Sequence, residues 1–410
     1  MMKRIAITGL GTINPISNNI LDFTKALDQE ISGIDLIQSF DTSEIPVKIA
    51  GEIKDFDPKQ YMDRRKAKKF DRFLQLGLAA TKQAFEDSKL NDFEDWKKSG
   101  AVTVSSGIGG VHTQMSEFYE LYQNGPRYVS PFLIPMIITN MMAGVIAMEY
   151  GLNGPNFAPV SACASSLHSL ITGAMLIETE KCEVAITGGV DAAVTLPGII
   201  GFANMMALSR KNDSPQKASR PFDKKRDGFV MSEGSGIIIL EDEEHAKKRN
   251  AHIYGYLTGY GMSADAHDYS ASDPEGLGPA LAIRRALDCA NLAPDSIELI
   301  NTHGTGTPVG DNSEGKAIMN VFSKHRPLIQ STKTLIGHTI AGSGAIETIA
   351  AILQAKEGFI HGMPNLSEPD DDLKDLNFVY QKQLQSINIF MKNSFGFGGQ
   401  NASIIVEVKQ

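Results

Sequence analysis

The chain is poor in cysteine, with 3 in 410 residues, at positions 163, 182 and 289. Three thiols cannot all pair, so a disulfide framework is excluded and a reducing compartment is expected. No two cysteines and no two histidines stand within five residues of one another. The close-set ligand pairs of a zinc loop are therefore missing, and no metal is expected. No GxxxxGK[ST] phosphate loop occurs either. Positive charge is in deficit: 39 Lys and Arg against 48 Asp and Glu give a net charge of −9 and a pI near 5.5. That balance argues against a nucleic-acid partner and makes any basic patch a local one. No unbroken apolar run reaches the length of about 18 residues that would span a bilayer. The apolar stretch after Lys3-Arg4 is too short for a signal peptide, so a soluble, cytoplasmic protein with no membrane insertion is expected.

What is present is ordinary in bulk, with 42% hydrophobic and 21% charged residues and length for two or three domain-sized units. Short β-branched runs recur at 5–8, 102–105, 184–187, 237–240, 297–301 and 404–408. Several lack strict alternation, as strands buried on both faces do. Helical periodicity covers 73–89, 137–150, 167–178, 279–290, 313–322 and 345–356. Strands alternating with helices predict an α/β architecture with largely parallel sheets. The strand-first unit at Lys3 has a rough counterpart at 252–257, and the charged run 241–250 lies between the two. We therefore expect a pseudo-duplicated chain divided near residue 250.

Five Gly-rich or small-residue stretches stand out. Val160-Ser161-Ala162-Cys163-Ala164 follows a Gly/Pro/Asn-rich approach and opens into the helix at 167–178. A helix N-terminus offers free N–H groups and partial positive charge, which favour a thiolate and can hold an oxyanion. Asn301-Thr302-His303-Gly304-Thr305-Gly306-Thr307-Pro308 follows a strand, and Thr305 and Thr307 offer hydroxyls to a polar ligand. Past it, Asp311 and Glu314 have the spacing of a helix capping box. Lys333 and His338 precede a small-residue turn; a buried Lys333 needs an acidic partner, and Glu314 and Glu347 are candidates. Asn393-Ser394-Phe395-Gly396-Phe397-Gly398-Gly399 sets two phenylalanines between glycines. Gly107-Ile108-Gly109-Gly110, the weakest of the five, follows a strand. One cysteine and two histidines, each on such a turn, suggest nucleophilic acyl chemistry.

Taken in order, these motifs resemble the elongating β-ketoacyl-acyl-carrier-protein synthases, and the type II enzymes most of all. The likeness runs from Ile7-Thr8-Gly9-Leu10-Gly11 to Phe397-Gly398-Gly399 and includes 219–223 and 226–229. It implies a thiolase-like fold, with two pseudo-duplicated βαβαβαβ halves in a five-layered αβαβα core. Residues 1–250 would carry the nucleophilic cysteine and 251–410 both catalytic histidines. Cys163 would take an acyl group from acyl carrier protein, and malonyl-carrier protein would then lose CO₂ and attack it. This adds two carbons in fatty-acid synthesis, or in a specialised polyketide or aryl-polyene pathway. A noncatalytic chain-length factor is the reading from another class. The resemblance gives His303 and His338 to the enolate and Lys333 with Glu314 to an ion pair behind them. It gives the Cys163 and Phe397 N–H groups to the oxyanion. Thr305 and Thr307 would meet the phosphopantetheine arm, Phe397 would act as a gate, and Ile108, Phe202 and Phe395 would border the substrate. No cofactor beyond that arm and a homodimer are implied. A basic patch for the acidic carrier would use Arg65, Lys68, Lys69, Arg127 and Arg210. Met206, Ser166 and Asp265-Ala266-His267-Asp268 depart from the pattern.

Overall fold

The computed structural model describes residues 3–409. Its ten principal strands are β1 (Ile5–Ile13), β2 (Ala101–Val102), β3 (Val184–Asp191), β4 (Gly234–Asp242), β5 (Gly255–Ala264), β6 (Leu299–Asn301), β7 (Leu328–Gln330), β8 (Asn377–Phe378), β9 (Ile389–Gly396) and β10 (Gln400–Val408). They join in the order β8-β7-β6-β9-β10-β5-β1-β4-β3-β2. Within the sheet the two halves join where β1 pairs with β5, from Ile5↔Leu257 to Ile7↔Gly255. Outward from that seam each half repeats one pattern. The first strand pairs antiparallel with the last, that strand antiparallel with the next, and the next parallel with its neighbour. This holds for β1-β4-β3-β2 and for β5-β10-β9-β6.

The helices fill the layers by the same duplication. Helix α1 (Arg72–Ser88) packs on β1 and β4, and α3 (Leu277–Ala290) on β5 and β10. Both lie as close as they do because the strands beneath lack Cβ atoms. A Cβ on Gly11 would sit 2.0 Å from Ala80 O, and one on Gly261 would sit 2.1 Å from Ala282 O. Helices α2 (Ser165–Glu178) and α5 (Ser343–Glu357) instead touch each other and strands of both halves. Residues 343–355 of α5 are all buried. A helix with no polar face belongs between two apolar sheets, and the result is the five-layered αβαβα stack.

Two expected elements differ. The helix read at 137–150 is two, Leu133–Ile137 and Met141–Tyr150. Ile138 turns extended between them, and Ile137 O accepts the Gly110 N–H at 3.1 Å. The helix read at 313–322, α4, spans Pro308–Val321. There is no Asp311/Glu314 capping box, because Pro308 already opens the helix and both carboxylates turn to neighbouring loops.

Candidate active site

Cys163 sits in a 3-10 turn, Ala162–Ala164, that runs straight into α2. Ala162 is held at φ +48°, a conformation that costs an L-residue energy and aims the next side chain out of the turn. Ser165 Oγ fixes the turn: it accepts the Ser161 N–H at 2.9 Å and donates to Ala162 O at 2.7 Å. The aromatic turn after β9 closes against it. A Cβ on Gly396 would lie 2.5 Å from Ser161 O, so only glycine lets that turn come so near. The backbone N–H groups of Cys163 and Phe397 then both reach the sulfur. The thiol itself does not behave as the helix N-terminus alone suggests. Burial pushes it up to about 12, outweighing Lys333 and the two N–H groups. Cys163 therefore rests as a thiol, where a helix N-terminus alone would favour a thiolate.

His303 follows β6 and His338 precedes α5. Their rings meet edge to face with centroids 5.4 Å apart. The Cys163 sulfur and one nitrogen of each ring lie within 4.8 Å of one another. Three loops remote in sequence thus converge on one point. Burial and the neighbouring ammonium groups hold both imidazoles well below their usual pKa, so each is neutral at physiological pH rather than poised near 6.5. A neutral imidazole has one N–H, and its tautomer decides what it can do. His338 Nδ1 lies 2.9 Å from Ser343 Oγ, which already accepts the Thr339 N–H, while His338 Nε2 has no partner.

The Lys333–Glu314 ion pair is not formed. Lys333 pairs with Glu347 at 2.6 Å and donates to His303 O at 2.7 Å. Glu314 instead accepts the backbone N–H groups of His303 (2.9 Å) and Gly304 (2.7 Å), and the Asn393 amide at 3.1 Å. Glu347 lies on α5, and its helix carries the carboxylate under the Lys333 loop. Asp311, the other half of the expected capping box, accepts N–H groups from Thr305 and Gly306 and shapes that turn.

A cavity of about 320 Å³ opens above the sulfur. Cys163, His303, His338, Thr305, Thr307, Ile108, Phe202, Phe395 and Phe397 all line it. Phe202 stands between Phe229 and Phe397, and Phe229 meets the edge of His338. Asp191 went unnoticed in the sequence, and Phe229 and Ser343 were seen only as parts of motifs, with no role at the site. Asp191 lies buried behind the cavity, accepting N–H groups from Gly107, Ile108 and Ala341. Its signal was weak: an acid ending an apolar strand, Val184–Asp191. Arg65, Lys68, Lys69, Arg127 and Arg210 are exposed, and none lines the cavity. Met206 is 78% exposed at the cavity's rim. The departing segment at 265–268 backs the aromatic turn, with Asp265 donating its N–H to Gly399 O at 2.8 Å. Ser166 uses its hydroxyl to accept the Ala345 N–H, tying α2 to α5.

Cysteine and two histidines this close are also a possible metal-ligand set. Ligation would require the Cys163 thiolate, which a bound cation would itself stabilise. The nearer sequence pair, Cys163 and His168, is no ligand pair, since His168 Nδ1 bonds Ser161 Oγ at 2.6 Å. Among the described residues, no helix is long and apolar enough to cross a membrane.

The chain matches the models for the N-terminal domain of beta-ketoacyl synthase over residues 2–246 and for its C-terminal domain over 254–367. The chain belongs to the β-ketoacyl synthase family. A 3-oxoacyl-[acyl-carrier-protein] synthase 2 of Coxiella burnetii is 40% identical to it over 407 residues, 98% of each chain. Among solved structures, the ishigamide ketosynthase/chain length factor superposes with a TM-score of 0.93 at 31% identity, covering 100% of both chains. A type II polyketide ketosynthase solved with its acyl-carrier protein and a bound hexaketide gives 0.91 at 26%, again over 100% of both. The thiolase-like fold is therefore shared with these ketosynthases, and this β-ketoacyl synthase is an acyl-transferring condensing enzyme.

Proposed function

We propose that the protein is an elongating 3-oxoacyl-[acyl-carrier-protein] synthase of fatty-acid synthesis, working in two steps on the Cys163 sulfur. Cys163 attacks a thioester on the phosphopantetheine arm of acyl carrier protein. Its proton passes by way of the neighbouring imidazoles to the departing carrier thiolate, leaving acyl-Cys163. Malonyl-carrier protein then binds, and its C–C bond to the carboxylate breaks to release CO₂. The electron pair forms an enolate, which attacks the acyl carbon. The C–S bond to Cys163 breaks, one proton taken up from solvent restores the thiol, and the 3-oxoacyl chain leaves two carbons longer.

The sulfur and two neutral imidazoles within 4.8 Å are the observation that carries this reading. His338, with Ser343 O–H donating to Nδ1, turns an Nε2–H to the enolate oxygen, and His303 supplies the second donor. The N–H groups of Cys163 and Phe397 receive the thioester oxygen, and loss of one such donor costs about 10²–10³ in rate. Thr305 and Thr307, whose hydroxyls are 3.0 Å apart, take the arm, and no separate cofactor is required. The exposed basic residues Arg65, Lys68, Lys69, Arg127 and Arg210 suit an acidic carrier. The exposed Phe132 and Ile134 suit a homodimer face. Division near residue 250 and a cytoplasmic location complete the reading.

Intact-mass analysis after incubation with acyl-carrier protein tests it. One acyl adduct on Cys163 is expected, absent in Cys163→Ala. His338→Ala should spare acylation and lose condensation; equal loss of both would refute these roles. A specialised polyketide or polyene enzyme would form the same adduct, and its products would set it apart. No adduct where a control synthase reacts would leave a noncatalytic chain-length factor.

A further inference from the structure

Behind the two imidazoles lies a buried charge cluster larger than the site needs. Lys333 and Lys392 sit on opposite oxygens of one carboxylate, Glu347, at 2.6 and 2.5 Å. All three residues are 0% exposed. One ammonium would neutralise Glu347. A second buried cation is costly unless its position matters.

The hydrogen bonds show what Lys392 holds. Its Nζ donates to Thr302 O at 2.8 Å and to Asn393 O at 2.7 Å. Thr302 precedes His303, and Asn393 begins the turn that carries Phe395 and Phe397. Lys333 takes His303 O, and Glu314 takes the His303 and Gly304 N–H groups together with the Asn393 amide. The loop that presents the imidazole is therefore gripped by charged side chains from both sides. Lys392 and Glu314 both span from that loop to Asn393 on the strand that leads to Phe397, Lys392 by gripping the two backbone carbonyls.

We propose that Lys392 is a positioning residue for the decarboxylation step, its ammonium registering the Phe395–Phe397 strand against the His303 loop. This rests on the two-step reading of the site above. The charged groups facing Lys392 are Glu347 from α5, Lys333 from the turn after β7 and Glu314 from α4. His303 and His338 lie in front and feel it in turn. Burial, with Lys333 beside it, lowers Lys392 to about 8. The ammonium is then complete below that pH and lost above it.

The test separates the two half-reactions in the full-length protein. One assay is single-turnover acylation of Cys163 from an acyl-carrier protein. The other is CO₂ release from malonyl-carrier protein at saturation, from pH 6 to 10. Lys392→Met leaves Lys333 paired with Glu347 and removes the cation that faces Glu314; Lys392→Gln, which restores one donor, serves if it does not fold. We expect either variant to lose about tenfold or more in decarboxylation, the scale of a displaced reacting group, and to keep most of the acylation rate. The wild-type rate should decline above pH 8, and that limb should vanish in the variant. Parallel loss in both half-reactions, or an alkaline limb unchanged in the variant, would overturn the assignment. A wild-type protein that never acylates would instead overturn the reading beneath it.

Discussion

The two central helices begin in the same way and do opposite things. Ahead of α2 run Ser161, Ala162, Cys163 and Ala164; ahead of α5 run Thr339, Ile340, Ala341 and Gly342. Each makes a 3-10 turn. Each strains its second residue, Ala162 to φ +48° and Ile340 to +49°. Each closes with a serine at the first helical position, whose hydroxyl accepts the N–H four residues back, at 2.9 Å for Ser165 and 3.0 Å for Ser343. The difference is one N–H group and one side chain. The Cys163 N–H is turned to its own sulfur, where an oxyanion would form. The matching Ala341 N–H is spent on the buried Asp191 at 2.9 Å. On the proposed reading one helix N-terminus is kept for substrate, while at its twin Ser343 packs against His338 Nδ1.

The sharpest way to break that contrast is to remove the acceptor. Asp191→Ala strands the N–H groups of Gly107, Ile108 and Ala341 and the Ser106 hydroxyl in a dry interior. We expect a loss of stability of about 3–5 kcal/mol, the scale of breaking a buried charged network, read from denaturant unfolding. Both the Ile108 wall and the His338 turn should loosen together. A loss below about 1 kcal/mol, the worth of one ordinary hydrogen bond, would show that Asp191 does not anchor the second junction.

Much of this arrangement was legible in the sequence. Five of the six helices and all six strands read from periodicity have counterparts, because long buried elements impose their spacing on the residues; the helix read at 137–150 is broken at Ile138. The pairing of Cys163, His303 and His338 was visible as three glycine-framed turns. Thr8-Gly9-Leu10-Gly11 and Thr258-Gly259-Tyr260-Gly261 mark the duplicated first strands, where each second glycine admits an alanine-faced helix. The sheet, expected to be largely parallel, is mixed, with its long strand pairs antiparallel; the other failures were statements about charge. The Lys333 partner is Glu347, since which carboxylate turns inward depends on helix rotation and not on spacing. Cys163 is a resting thiol and the histidines are neutral, since desolvation is set by the whole shell of neighbours. Ser343 looked like part of a small-residue turn, and only the fold shows its hydroxyl against an imidazole.

A gentler change sharpens the comparison by treating the twin serines alike. Ser165→Ala and Ser343→Ala each strand one backbone N–H and should each cost about 1–3 kcal/mol of stability. Their kinetic effects should part. Ser343→Ala removes the hydroxyl 2.9 Å from His338 Nδ1, which on the proposed reading keeps the His338 proton on Nε2, and decarboxylation should fall about tenfold, less than the roughly 10²–10⁴ of an acid–base group removed outright, with acylation nearly intact. Ser165→Ala loosens the nucleophile's own turn, so acylation should fall at least as much as condensation. Identical profiles for the two variants would mean that neither serine acts beyond holding its turn.

The smallest effect tests why the first junction leaves its sulfur protonated. A helix N-terminus, two N–H groups and Lys333 all favour the thiolate, and burial outweighs them, raising the thiol from 9.0 to about 12. The folded chain thus keeps a proton that the unfolded chain releases above pH 9, so this group weakens folding as pH rises from 9 towards 12. Alkylation of Cys163 by iodoacetamide, followed at that residue by peptide mass, should climb steadily from pH 6 to 10 without a plateau. A plateau beginning near neutrality would mean the helix end and the cations win over burial. The free enzyme would then hold a ready thiolate, and proton transfer would have no part in acylation.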